Sequence, residues 1–300
     1  MHLVRYDTGD GPRVGVRRDD WITPVSDVRS MAEMLAMRLD VLRSTVESAS
    51  ATPVRVASAR LLAPLDGRAE LWCAGVTYAR SRGARMEESA DQSVYDKVYS
   101  ADRPELFLKA PAWRLVTDRE PVGIRADSGH DVPEPELAVV VNAHGEIVGY
   151  TVCNDMSSRS IEGENPLYLP QAKVYAGAAA LATGIRPAWE VPDATDLAIT
   201  LVVRRGATEA FAGETSTAQL TRPLRELVDY LCRASFFPDG AALATGTGIV
   251  PDLDFSLRPG DVVEIGIEAV GRLVNRVEIG KEAFGWLNDP EGRLVPEATR

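Results

Sequence analysis

The residues with the most chemistry in this sequence lie between Asp131 and Lys173. The stretch opens Val132-Pro133-Glu134-Pro135-Glu136 and continues as Leu137-Ala138-Val139-Val140-Val141. A strand repeats its side-chain direction every two residues, so Glu134 and Glu136 share a face. Two carboxylates side by side repel each other. On a solvated strand edge that cost is small, and such an edge is one reading. The apolar run that follows, and Pro135 between the acids, point instead to a strand mouth near the core. There a divalent cation would remove the repulsion, since Mg²⁺ and Ca²⁺ take oxygen ligands. A third acid, Asp155, ends the run Gly149-Tyr150-Thr151-Val152-Cys153-Asn154-Asp155. The turn Ala143-His144-Gly145-Glu146 separates the two runs, so a hairpin would return Asp155 to the side of the glutamates.

Lys173 follows, in Gln171-Ala172-Lys173-Val174-Tyr175. Among apolar neighbours it is a candidate acid–base group or electrophile with a depressed pKa. The plainer reading is a lysine whose stem lies on apolar surface while its head stays in water. Other chemistry is poorly supported. The histidines are His2, His130 and His144, and no Gly-x-Ser-x-Gly exists. That leaves little basis for a Ser-His-Asp hydrolase or for zinc on histidines. The segment from Thr77 to Ser89 is basic, then acidic. It reads as a solvated helix start, or as a site where Arg85 clamps a carboxylate through two hydrogen bonds.

The elements that must position these groups are mostly strands. Leu71–Val76, Leu106–Lys109, Leu137–Asn142, Ile147–Asn154, Leu197–Arg204, Val262–Glu268 and Leu273–Ile279 are predicted strands, separated by turn residues. The first twenty residues predict a hairpin about Asp7 to Pro12. Ser26 and Asp27 can cap a helix to about Glu47, with Met31, Met34, Leu35, Leu39, Leu42 and Val46 on one face. A second helix starts near Thr221, with Pro223 in its first turn. Pro53, Pro64 and Gly67 mark a soft boundary, giving a small N-terminal α+β piece (1–66) and a larger body (67–300). No strand–GxGxxG–helix unit occurs, so a dinucleotide fold is disfavoured, and Thr245-Gly246-Thr247-Gly248 is weak as a phosphate loop. The expected class is α+β, mostly β.

Composition narrows the function classes. The chain has 300 residues, is 45% apolar and 26% charged, and carries a net charge of −11. It can bury a sizeable core without staples. The acidic balance argues against a nucleic-acid partner but not against an anionic small substrate beside a cation. Cys73, Cys153 and Cys232 are far apart and form no CxxC, so they read as buried apolar groups in a reducing compartment. With no signal-length or membrane-length apolar run, a cytoplasmic protein that does not engage membranes is expected.

In order along the chain, the motifs resemble the fumarylacetoacetate hydrolase superfamily over about residues 66–285. They are Gly75-Val76-Thr77-Tyr78, Glu134-x-Glu136, Asp155 with Arg159, Lys173, and Thr245-Gly246-Thr247 followed by Leu257-Arg258-Pro259-Gly260-Asp261-Val262-Val263. The resemblance implies a mixed β-roll body with a small N-terminal domain, and Mg²⁺ (or Mn²⁺ or Ca²⁺) on Glu134, Glu136 and Asp155. It also implies a homodimer or homotetramer acting on small 2-oxo acids or 1,3-diketones. One departure matters. Hydrolases and decarboxylases of the superfamily place Asn, His and Glu where this chain has Thr77, Ser81 and Ala84. That histidine and glutamate activate a water, so C–C hydrolysis by the usual route is in doubt.

Stretches such as Asn154–Tyr175 resemble instead the branch of 2-keto-3-deoxy sugar acid dehydratases. The implied reaction takes 2-keto-3-deoxy-D-arabinonate to 2,5-dioxopentanoate plus water through a metal-stabilised enolate. Elimination needs a base near C3 and an acid near the C4 oxygen. Lys173 is the first candidate for one, and Glu88 or Glu164 for the other. Arg85, Arg159, Gln171, Thr245 and Thr247 are candidates for gripping substrate oxygens. The alternatives are an acylpyruvate hydrolase or oxaloacetate decarboxylase, with His130 replacing the missing pair, and a 2-oxo-acid binder without turnover.

Overall fold

The computed structural model describes residues 1–88 and 97–288, with backbone alone over 84–88. The first strands are β1 (His2–Asp7), β2 (Pro12–Arg18), β3 (Trp21–Pro24), β4 (Val54–Arg55), β5 (Arg60–Leu62), β6 (Glu70–Gly75) and β7 (Glu105–Pro111). Next come β8 (Val122–Ile124), β9 (Asp131–Val132), β10 (Pro135–Val141), β11 (Ile147–Asp155), β12 (Ser157–Ser158), β13 (Ala179–Leu181) and β14 (Gly184–Pro187). The last are β15 (Ala198–Arg205), β16 (Thr208–Ser216), β17 (Ala241–Ala244), β18 (Val262–Ile267) and β19 (Gly271–Ile279). The helices used below are α1 (Met31–Leu35), α2 (Leu39–Glu47), α3 (Ala79–Glu88), α4 (Arg159–Glu164), α5 (Leu169–Lys173) and α6 (Leu224–Cys232). None is long and apolar enough to cross a membrane among the described residues.

One large sheet runs β4-β3-β2-β1-β14-β11-β10-β17-β6-β7, with β13 also on β11 and β5 also on β1. A second runs β16-β15-β18-β19-β8. Strand β10 is buried at every position, which is why it reads as an unbroken apolar run. Its Leu137, Val139 and Val141 join Ile199, Leu201, Val203 and Ile265 in the core between the sheets. Its Ala138 and Val140 face the other way, onto Leu3, Val14, Met31 and Leu35 of the N-terminal part. The large sheet curls on itself. Just past β7, Val116 N–H donates to Ala179 O and Val116 O accepts from Leu181 N–H, both at 3.0 Å, on the strand that rides on β11. The chain leaving one end of the six-strand path β13-β11-β10-β17-β6-β7 is thereby bonded to the strand at its other end.

The N-terminal hairpin forms as the sequence predicts, with Asp7 opposite Pro12. The boundary near residue 66 does not coincide with a break in the sheet. Strand β1 pairs with β14 through Leu3↔Ile185 and Val4↔Gly184, and the N-terminal apolar residues share the body's core.

The single helix expected over 26–47 is two helices. Ser30, not Ser26 or Asp27, caps the first, accepting from Glu33 N–H at 3.0 Å. The interruption is imposed by the β10–β11 turn. Ala143 N–H donates to Leu35 O at 2.8 Å, and Asn142 Nδ2 donates to Met37 O at 2.9 Å. Glu146 then accepts from Leu39 N–H at 2.8 Å and so caps α2. Partners from the turn replace the i→i−4 bonds that a continuous helix would make.

Glu146→Ala removes that cap and the acceptor for Asn142 Nδ2, which donates to it at 2.7 Å. The expected loss is about 1 kcal/mol of stability, read as a lower denaturant midpoint at unchanged m-value. An unchanged midpoint would show that the turn does not stabilise α2.

Candidate active site

Strand β10 and its partner β11 bring the three acids together. In the antiparallel register Glu136 lies opposite Cys153 and Pro135 opposite Asn154. One step further, Asp155 N–H donates to Glu134 O at 3.0 Å. Each of Glu134, Glu136 and Asp155 offers an oxygen within 4.8 Å of the others, and all three residues are buried. The side chains alternate as the strand period demands, so all three acids point into one cage.

Burial foremost, then the charges of Asp155 and Glu134, pushes the Glu136 carboxyl well above its ordinary value. Its bonded support is Gly246 N–H, which donates to Oε2 at 2.7 Å. Gly246 has φ +94°, and a Cβ there would lie 1.9 Å from Thr77 Oγ1. Only glycine presents its amide this way. Burial also works against the Asp155 carboxylate, but Lys109 and Lys173 outweigh it and hold Asp155 below the usual range.

Lys173, at the end of α5, enters the cage from outside the sheet. Its Nζ donates to Glu134 Oε2 at 3.0 Å, Asp155 Oδ2 at 3.1 Å and Ser157 Oγ at 2.5 Å. Its side chain is 3% exposed, so it is a buried, paired ammonium and not a surface lysine with a buried stem. Arg159, first residue of α4, reaches Glu134 Oε1 at 2.9 Å and Glu162 Oε2 at 3.4 Å. Ser158 caps that helix, accepting from Ile161 N–H at 3.4 Å, and so fixes where Arg159 emerges.

A small cavity, about 20 Å³, opens on the cage and is lined by Ser81, Glu105, Phe107, Glu162, Lys173 and Thr247 among others. Larger clefts of about 650 and 620 Å³ lie elsewhere and contain none of the three acids. Buried charge, not volume, marks the site.

Not every candidate reaches the cavity. Glu164 is exposed, whereas Glu162, two residues earlier, is buried and lines it. A six-residue helix presents only part of its circumference, and the acid paired with Arg159 sits at i+3. Gln171 is exposed, and its carbonyl accepts from Arg125 Nη1 at 3.2 Å. Thr245 is buried, but its hydroxyl donates to Leu137 O at 2.9 Å, which holds β17 to β10. Thr247 lines the cavity, its Oγ1 accepting from Ile249 N–H at 3.2 Å. The side chains of Arg85 and Glu88 lie outside the described residues.

Besides Glu162, four residues at the site were not singled out from sequence. Glu105, Phe107 and Lys109 alternate along β7 and share a face. An acid and a base on one face of an otherwise apolar strand were the available signal. Glu105 lies over Gly75, where a Cβ would be 2.0 Å from Oε2. Lys109 pairs with Asp155 behind the cage. Ser157 is the fourth, a hydroxyl in contact with Lys173.

At the asparagine and histidine places of the motif stand hydroxyls committed to the backbone, and the glutamate place is Ala84. Thr77 Oγ1 donates to Thr245 O at 2.6 Å, and Ser81 Oγ donates to Tyr78 O at 2.8 Å. His130 is half-buried with Nε2 2.8 Å from Phe255 O, and it does not line the cavity. Val76, between these segments, holds φ +54°, an uncommon value for a β-branched residue and a sign of local strain.

The donor set suits a hard divalent cation. Three carboxylates converge, yet no cation pairs directly with Glu136 among the described residues. A dication there would offset the burial that disfavours Glu136 in its charged form.

Comparison with known proteins agrees with this architecture. The profile of the fumarylacetoacetate (FAA) hydrolase C-terminal family matches residues 70–278. A probable 2-keto-3-deoxyxylonate dehydratase of Haloferax volcanii is 42% identical over 289 residues, covering 92% of this chain and 99% of the relative. The 2-dehydro-3-deoxy-D-arabinonate dehydratase of Saccharolobus solfataricus is 41% identical over 223 residues, covering 73% of this chain and 74% of the relative. A solved 2-keto-3-deoxy-D-arabinonate dehydratase, in complex with magnesium and 2,5-dioxopentanoate, superposes with TM-score 0.80 at 34% identity, covering 93% of this chain and 99% of that one.

A group whose folded pKa is raised adds stability at low pH and loses it as pH rises toward the folded value. Glu136 is such a group in metal-free protein. In EDTA at about pH 7, well above the ordinary carboxylate range, Glu136→Gln should melt at or above the wild-type temperature. Mg²⁺ should raise the melting temperature of the wild type and not of the variant. A variant melting several degrees lower in EDTA would contradict this account.

Proposed function

We propose that this chain, which belongs to the fumarylacetoacetate hydrolase family, is a Mg²⁺-dependent dehydratase of 2-keto-3-deoxy sugar acids. The substrate it favours is 2-keto-3-deoxy-D-arabinonate, and the products are 2,5-dioxopentanoate and water. One observation carries the reading. A buried three-carboxylate cage holds a lysine in direct contact, while the residues that would activate a water are absent. Such a site can remove a proton and expel a hydroxyl, and it lacks the histidine and glutamate that would prepare a hydrolytic nucleophile by the usual route. The named dehydratases of similar sequence and structure support it.

Glu134, Glu136 and Asp155 would hold the cation. When bound, Mg²⁺ would supply Lewis-acid polarisation of the 2-oxo group. Lys173 takes a proton from C3. The C4–O bond breaks, and the leaving hydroxyl takes a proton to depart as water. Glu105 is the carboxyl group we assign to that proton. It lines the cavity and is half-exposed, so it can exchange with solvent, whereas Glu162 is buried against Arg159. A proton then moves from C5 to C3 of the enone, and the resulting C4–C5 enol becomes the aldehyde. Arg159 holds Glu134 in place, and Thr247 lies where it can meet a substrate oxygen. All the cavity residues fall within 67–300, which we take as the catalytic unit.

The assembly we favour is a homodimer or homotetramer, supported by exposed apolar side chains at Trp113, Leu167 and Phe236. Buried free thiols at Cys73 and Cys153 suit a reducing cytoplasm.

The test is a coupled assay with Mg²⁺ and 2-keto-3-deoxy-D-arabinonate. Dioxopentanoate formation is read as NADP⁺ reduction by an added semialdehyde dehydrogenase. We expect turnover that EDTA abolishes and Mg²⁺ restores, and Lys173→Met should lower kcat by about 10²–10⁴. Turnover of acetylpyruvate or oxaloacetate instead would overturn the assignment.

A further inference from the structure

Lys109 is 1% exposed and is not part of the cavity wall. An ammonium has three N–H donors and no acceptor. The acceptors around Nζ number three as well. They are Asp155 Oδ1, Met156 O at 2.8 Å and Lys173 O at 2.6 Å. The group is therefore fully engaged and does not line the cavity, which leaves it no proton-transfer role. What it joins is informative. Asp155 and Met156 end β11, and Lys173 ends α5. The final carbonyls of a helix have no partner within it, so an outside donor settles where that end lies.

We infer that Lys109 is a positioning residue for Lys173. From β7 it fastens the last carbonyl of α5 to the end of β11, and so sets the distance from Lys173 Nζ to Glu134 and Asp155. This rests on the proton-transfer role assigned to Lys173. A misplacement of about 1 Å in such a group costs on the order of 100-fold in rate. The competing account makes Lys109 only a countercharge for Asp155.

Lys109→Met removes both charge and donors. Lys109→Gln removes the charge but keeps an N–H donor for the carbonyls. In metal-free protein, hydrogen exchange at the Lys173 and Val174 amides should rise about tenfold in Lys109→Met, and Lys109→Gln should restore most of the protection. In the loaded enzyme, Lys109→Met should lower kcat about 100-fold with little change in KM, and Lys109→Gln should recover about tenfold of that. Equal behaviour of the two variants, or unaltered exchange in Lys109→Met, overturns the inference. If Lys109→Met does not fold, Lys109→Met with Asp155→Asn removes both members of the buried pair and serves the exchange measurement. Unaltered protection there is equally fatal. The exchange result needs no substrate, so a wild type inactive on 2-keto-3-deoxy acids would sink the dehydratase reading separately.

Discussion

Everything around the site answers to one constraint, that buried charges must find partners. Glu134, Glu136 and Asp155 are almost wholly removed from water. Leaving one such charge without a partner costs about 3–5 kcal/mol. For Glu134 and Asp155 the chain meets this with cations drawn from three separate elements, and Glu136 is left to the Gly246 amide. Lys109 comes from β7, Arg159 from α4 and Lys173 from α5. Each pairing fixes the element that supplies it. The curl that brings β7 round to β11, and the packing of two short helices over the strand ends, both bring a cation to the cage.

The same arrangement suits elimination. A cage of fixed carboxylates and ammonium groups needs little reorganisation as charge moves from C3 toward the carbonyl. Lys173 meets two of the carboxylates directly, so the group proposed to take the C3 proton lies beside the proposed cation ligands. The hydroxyls of Thr77 and Ser81 add nothing to water activation, because backbone carbonyls take their protons. Instead Ser81 closes the start of α3 on Tyr78, and Thr77 ties the chain after β6 to the loop after β17. That loop presents Gly246 N–H to Glu136.

Much of this was legible along the chain. Period-two alternation put Glu134 and Glu136 on one face, and a short turn returned Asp155 to them. Both are local rules that hold wherever the strand sits. The pairing of Lys109 was not legible: its alternation with Glu105 marks a face of β7, but its partner is 46 residues away. Glu162 was passed over for Glu164 because a helix six residues long has too little periodicity to show which side is buried. The break between α1 and α2 was hidden for a related reason. Their apolar rhythm is continuous, and the partners that end α1 come from a turn about a hundred residues later.

By itself, the sequence determined the strand-rich body, the three acids and their shared direction, the lysine that follows them, and the absence of the water-activating pair. Those follow from residue type and short-range spacing, which backbone geometry converts directly into facing. Only the tertiary structure decided which cations neutralise the acids, which carboxyl group beyond the cage lines the cavity, and that residues 1–66 complete the same sheet. These depend on how strands distant in sequence curl together, and the energy of burying charge is set by what the fold brings near, not by what lies beside it in the chain.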